Sequence, residues 1–109
     1  MNKTLGQNSV KGTEVKLNIN MEKIDGYGLD AVDFFVEVFT EAGFKSVRID
    51  KKDAIRVDEE NYIIRVDTAE VGAGRYWIRL TAMLPDSDFP DGYRTEKRTA
   101  FSGVTIDAQ

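Results

Sequence analysis

Apolar and polar residues alternate with a period of two along most of this chain. Val15, Leu17, Ile19 and Met21 interleave with Glu14, Lys16, Asn18 and Asn20, the signature of a strand buried on one face. Asp25-Gly26-Tyr27-Gly28 has turn chemistry, and Leu29 to Val32 forms a short helical turn or an irregular link. A second strand is predicted over Asp33–Thr40. Its faces are Phe34, Val36 and Val38 against Phe35, Glu37 and Phe39; Glu37 puts the first set inward, because an unpaired carboxylate is costly to bury.

After the turn Glu41-Ala42-Gly43, Val47 and Ile49 mark a strand within Phe44 to Asp50, and Ile55 and Val57 mark a short one from Ala54 to Val57. Asp58-Glu59-Glu60-Asn61 reads as a hairpin loop leading to Tyr62, Ile64 and Val66, which alternate with Ile63, Arg65 and Asp67. The longest run follows a glycine corner: Tyr76, Ile78, Leu80, Ala82 and Leu84 on one face, Trp77, Arg79, Thr81 and Met83 on the other. Seven short strands at this spacing, with no amphipathic helix of useful length, predict an all-β antiparallel two-sheet sandwich, a small closed barrel being the alternative. Residues 1–12 are polar, hold Gly6 and Gly12 and show no periodicity. They are expected to be a flexible tail dispensable for folding, ahead of one sandwich domain over 13–109.

A register for the last two strands follows from parity. If Leu84 faces Tyr93, then Ala82 faces Thr95, Leu80 faces Lys97 and Tyr76 faces Phe101, and only Lys97 fits badly. Inward parity then switches to Val104 and Ile106, which predicts a one-residue bulge at Ser102-Gly103. The same register sets Arg79 opposite Arg98 on the outer face, a stripe that would be solvated or would meet an anionic partner group.

The 109 residues suffice for one two-layer core and not for two. Histidine and cysteine are absent, which removes imidazole and thiol catalysis, zinc sites of the usual kind and disulfides. The net charge of −4 argues against binding along a phosphate backbone, and no stretch approaches the length of a membrane span. The first nine residues lack the apolar run of a secretion signal, which predicts a cytoplasmic chain or one built into a virion-like assembly. Gly72-Ala73-Gly74 precedes a strand and not a helix, so it is no phosphate loop.

The segment from Asp67 to Tyr76 resembles the corner before the penultimate strand of immunoglobulin-like and fibronectin-like domains. There a tyrosine after a glycine-containing turn sends its hydroxyl back to upstream backbone, and Tyr76 matches that position. The resemblance implies an immunoglobulin-like sandwich; the chain departs from it in lacking the cysteine pair and a core tryptophan, since Trp77 falls on the face opposite Tyr76. In style the chain is also similar to domains of tailed-phage and mobile-element structural proteins.

Two loop and surface features bear on function. Asp86, Asp88 and Asp91 alternate with small residues before Gly92, a set that would gather around calcium or cap the backbone of a long turn. The spacing lacks the full calcium-loop pattern, so capping is the expectation and no cofactor is implied. Phe35, Phe39, Ile63, Trp77 and Met83 all point away from the expected core. In an immunoglobulin-like order Phe35, Phe39 and Ile63 would form one patch, with Trp77 and Met83 on the other sheet. The reading is a non-enzymatic structural or protein-interaction module, docking to a protein partner or to itself through Phe35, Phe39, Ile63, Trp77 and Arg79. The alternatives are a carbohydrate-binding module stacking sugars on Trp77, Tyr27 or Tyr93, and a calcium-regulated sandwich using Asp86, Asp88 and Asp91.

Overall fold

In the computed structural model, which describes residues 8–10, 13–43 and 45–107, two sheets pack face to face. The strands are β1 (Asn8–Val10), β2 (Glu14–Asn20), β3 (Asp33–Thr40), β4 (Ser46–Asp50), β5 (Ile55–Arg56), β6 (Asn61–Asp67), β7 (Gly74–Pro85) and β8 (Tyr93–Asp107). One sheet has the order β1-β8-β7-β3-β4 and the other β2-β6-β5. All pairings are antiparallel except β1 with β8, which is parallel. The result is an all-β sandwich, compatible with an immunoglobulin-like module, and not a closed barrel.

The period-two faces land as their chemistry demands. Leu17 and Ile19 from β2, Phe34, Val36 and Val38 from β3, Tyr62, Ile64 and Val66 from β6, and Tyr76, Ile78, Leu80, Ala82 and Leu84 from β7 are all buried between the sheets. Glu37 points outward, as the cost of burying its carboxylate requires. Phe34 meets Tyr62 edge to face, ring centroids 5.2 Å apart, and joins the two layers at one end.

At the other end lies the corner. Helix α1 (Thr68–Val71) is one turn, capped by Asp67, whose carboxylate accepts from the Ala69 amide. The Tyr76 hydroxyl donates to the Gly72 carbonyl at 2.6 Å, closing the loop that delivers the chain into β7. Gly72 sits at φ 97°, where a side chain would be strained.

Three expectations are corrected. Asn8–Val10, placed within an unstructured tail, is a strand paired with Thr105–Asp107; three residues held by backbone pairing leave no periodic signal, and the rest of that tail lies outside the described residues. The short strand expected over Ala54 to Val57 is only Ile55–Arg56, an edge strand reaching only the start of β6, and Ile55 and Val57 are 49% and 50% exposed. The β7–β8 register is shifted by one, with Pro85 opposite Tyr93, Leu80 opposite Arg98 and Arg79 opposite Thr99. The Arg79–Arg98 pair therefore does not exist.

The loop sets that register. Asp86 N–H donates to Gly92 O at 2.8 Å and Gly92 N–H to Phe89 O at 2.9 Å, closing the hairpin one residue further along β7 than apolar matching suggested. The bulge does fall at Ser102-Gly103, but it takes up two extra residues: Trp77 pairs with Phe101 while Arg75 pairs with Thr105. Beyond it Val104 and Ile106 turn inward and are buried.

If the Tyr76 hydroxyl holds the corner, Tyr76→Phe will destabilise the fold by about 0.5–1.5 kcal/mol, the usual net value of one hydrogen bond. Chemical denaturation at unchanged slope checks this. In the same protein, burial pushes the phenol of Tyr76 up to about 12, so its ultraviolet ionisation is expected to lag well behind that of exposed tyrosines.

Candidate functional site

Rows of cross-strand neighbours build a mixed aromatic and charged surface on the outside of the five-stranded sheet. Because β3 pairs with β7 and β7 with β8, Phe39, Trp77 and Phe101 fall in one row, Glu37, Arg79 and Thr99 in the next, and Phe35, Thr81 and Lys97 in a third. Strand β4 adds Arg48 beside Glu37 and Asp50 beside Phe35.

Each aromatic ring is held by a neighbour. Trp77 and Phe101 lie with centroids 5.6 Å apart, and the Trp77 indole N–H donates to the Glu41 carboxylate at 3.3 Å. Arg48 stacks 3.7 Å over Phe35, and Arg79 sits 4.9 Å over Phe39, contacts worth about 0.5–1 kcal/mol each at exposed sites. Arg75 lies 5.8 Å from the Phe101 ring centroid and pairs with Glu41. Arg79 also reaches Glu37 at 3.5 Å, and Arg48 reaches Asp50 at 2.8 Å. Phe101 is 43% exposed. Beneath this layer Thr81 is buried, and its hydroxyl has no hydrogen-bond partner among the described residues.

This arrangement regroups the residues expected to dock a partner. Phe35, Phe39, Trp77, Arg79 and Met83 share one face. Ile63 is not among them: it lies on the opposite side of the molecule, on β6, beside Asn18 and Ile55. The expected split placed β3 next to β6, whereas its neighbours are β4 and β7. Phe101 was missed because the shifted register counted it as an inward partner of Tyr76. The poor fit of Lys97 in that register was the available sign, since moving Lys97 outward carries Thr99 and Phe101 with it.

The residues of the two alternative readings are placed differently. Trp77 and Tyr93 are separated by the eight-residue span from Trp77 to Pro85, the partner of Tyr93, roughly 27 Å at about 3.4 Å per residue. Tyr27 belongs to a separate turn bridged to Ile24. The three rings do not make one sugar platform. In the β7–β8 loop, Asp86 accepts from the Asp88 amide at 3.0 Å and from Arg94 at 3.0 Å, and Asp91 accepts from the Tyr93 amide. These are capping roles, and among the described residues no cluster of three or more acidic, histidine or cysteine side chains is arranged to hold a metal ion.

The most heavily bonded polar cluster sits at the Phe34 end of the core. The Lys51 ammonium donates to the carbonyls of Leu29, Asp30 and Val32 at 3.0, 3.1 and 2.7 Å, tying down the 3-10 turn Leu29–Ala31. Asp30 accepts from the Tyr62 hydroxyl at 2.6 Å and from Arg56 at 2.8 Å. The bond from Tyr62, then that from Arg56, holds the Asp30 carboxyl below its ordinary value. Burial, then the hydrogen bond to Asp30, raises the Tyr62 phenol. Both shifts move these groups away from neutrality, so the cluster clamps the link between the sheets and is not poised for proton transfer near pH 7.

Comparison with protein-family models, with curated proteins and with solved structures gives no match. Among the described residues no helix is long and apolar enough to cross a membrane.

A depressed carboxyl contributes stability that is present above its unfolded value and lost as pH falls through its folded one. Tyr62→Phe is therefore expected to return the Asp30 titration toward the ordinary aspartate value, which carboxyl-detected NMR measures residue by residue. For the Asp86–Asp91 loop, millimolar calcium and excess chelator are expected to give equal melting temperatures; a calcium-dependent rise would reassign those aspartates as ligands.

Proposed function

We propose that this chain is a non-enzymatic protein-interaction module of immunoglobulin-like type that docks through the outer face of its five-stranded sheet. The observation that carries the reading is the aromatic row Phe39, Trp77 and Phe101 with Phe35 beside it, set in a lattice of arginines and carboxylates. Aromatic and arginine side chains are the residue types that concentrate at docking surfaces.

Charge narrows the partner. Arg48, Arg75, Arg79 and Lys97 are matched on this face by Asp33, Glu37, Glu41 and Asp50, although the chain as a whole carries −4. A balanced face on an acidic molecule suits a partner face that is itself balanced, and a second copy of this chain meets that condition. Repulsion between two acidic copies is least when they approach through it. A structural element within a larger assembly, of the kind the style of the sequence suggests, would use the same surface.

Four strands about 4.8 Å apart and some seven residues long span roughly 400 Å² in projection, about half of what each partner buries in a stable complex. Self-association is accordingly expected to be weak, with Kd of roughly 10–500 μM. Sedimentation velocity of the wild type from about 10 μM to about 1 mM will show a concentration-dependent dimer, and Phe101→Ser will weaken it by about tenfold or more. Arg79→Glu, which keeps the aromatics and breaks the charge balance, is expected to weaken it as well. A wild type that is monomeric throughout, indistinguishable from both variants, overturns the self-docking form of this reading.

A further inference from the structure

The five-stranded sheet ends at β4, whose outer edge pairs with no strand among the described residues. Asn8 and Asp107 both lie on the opposite side of that sheet, in β1 and β8, with β7 and β3 between them and β4. The seven residues before Asn8 reach about 24 Å when fully extended, and about 19 Å of that would go in crossing four strand spacings, so they cannot lie along β4. The β1 side carries two devices that discourage added strands: β1 is three residues long, and β8 beside it turns Arg94, Glu96 and Arg98 to the inner side. Strand β4 has neither. Its inner positions are Val47 and Ile49, half-buried and opposite Val38 and Val36; its outer ones are Arg48 and Asp50; it holds no proline and no bulge.

The order Arg48-Ile49-Asp50 is complementary to itself. Set antiparallel against a second copy with Ile49 opposite Ile49, it places Arg48 opposite the second copy's Asp50 and Asp50 opposite the second copy's Arg48, both pairs on the outer side of the sheet. Arg48 already reaches Asp50 at 2.8 Å within one strand, so the four charges close into a ring. Centring the pair on Arg48 instead would set two guanidiniums against each other, which is disfavoured.

We infer that β4 is a self-pairing edge, joining two copies of this chain about a two-fold axis at Ile49 into one continuous sheet. The axis runs through the sheet, so both aromatic faces end on the same side. Two faces of roughly 400 Å² then become one of roughly 800 Å², the area that one partner buries in a stable complex. That consequence rests on the docking reading above; the edge contact itself does not. Its ladder is short, so free copies are expected to be held with Kd weaker than about 1 mM, and the contact acts where copies are already held close.

The chain has no cysteine, so single introduced thiols report the contact by disulfide trapping. In a Phe101→Ser background, which removes docking through the aromatic face, Ile49→Cys and Arg48→Cys chains are oxidised side by side in glutathione buffer. Arg48 is the more exposed, and random collision favours it. Pairing centred on Ile49 reverses that order, by at least about fivefold in trapped dimer, because the two copies of position 48 lie diagonally, about 7–8 Å apart, beyond disulfide reach. Arg48→Asp added to one Ile49→Cys chain and Asp50→Arg to another are each expected to suppress self-trapping, while their mixture gives heterodimer as about 80% or more of the trapped dimer, since only the mixed pair sets opposite charges together. A mixture of Arg48→Cys and Asp50→Cys chains reads the same register without altering Ile49: each is expected to trap the other and not itself. The inference falls if Ile49→Cys traps no better than Arg48→Cys, if the charge-altered mixture stays at the statistical half, or if Arg48→Cys traps itself as readily as it traps Asp50→Cys. Selective trapping beside a wild type that shows no docking through Phe101 would sink the docking reading alone.

Discussion

One-sided burial of β7 is the constraint on which the rest of this molecule depends. Five inward side chains from Tyr76 to Leu84 are buried, and each large one removed from water contributes about 1.5–3 kcal/mol. That burial fixes which way the strand faces, and a slip of one residue would turn every one of those side chains outward. Its two neighbours inherit the orientation: β3 matches it inside with Phe34, Val36 and Val38, and outside with Phe35, Glu37 and Phe39. The aromatic face is thus the unburied half of the same alternation that makes the core. A residue on that face is positioned by a buried neighbour one step along the chain.

How much of this was legible in the sequence depended on whether burial or backbone set the feature. The strands β2, β3, β6 and β7 and their inward residues were readable because their alternation is enforced by the core. The tyrosine corner was readable because a glycine-containing turn and Tyr76 each leave a residue signal at fixed spacing. β1 was not, since three paired residues are too few to show an alternation. The β7–β8 register was not, because the upper portion of β8 projects past the smaller sheet and no apolar demand selects its parity; Arg94, Glu96 and Arg98 occupy positions that would be core if the second sheet extended further. The candidate site was half legible for the same reason. Outward residues were identified one strand at a time, but which of them meet depends on strand order, and that moved Ile63 away and brought Trp77 and Phe101 in.

The electrostatics divide along similar lines. Where charges cluster at the ends of the sandwich they bind the chain to itself: Lys51 to three carbonyls, Asp30 to Tyr62 and Arg56, Arg94 to three carboxylates. Gly28 belongs to the same end, where a β-carbon would come within 2.6 Å of the Glu59 carbonyl oxygen, so the turn before the 3-10 segment closes onto the β5–β6 loop only without a side chain. On the broad face the charges are balanced and largely exposed, where pairs are worth about 0–1 kcal/mol and stabilise little. They are better accounted for as a surface that stays soluble while displaying aromatic rings.

The parallel pairing of β1 with β8 has a mechanical meaning. Tension drawn between the chain ahead of Asn8 and the chain beyond Asp107 runs along these two strands in opposite senses. Their hydrogen bonds are then loaded together, in shear, and must fail together. An antiparallel pair pulled from its open end would instead unzip, each bond breaking in turn. The short ladder at the margin of the larger sheet thus works as a clasp across the line of pull, shielding the β7–β8 hairpin and the core behind it until it gives way.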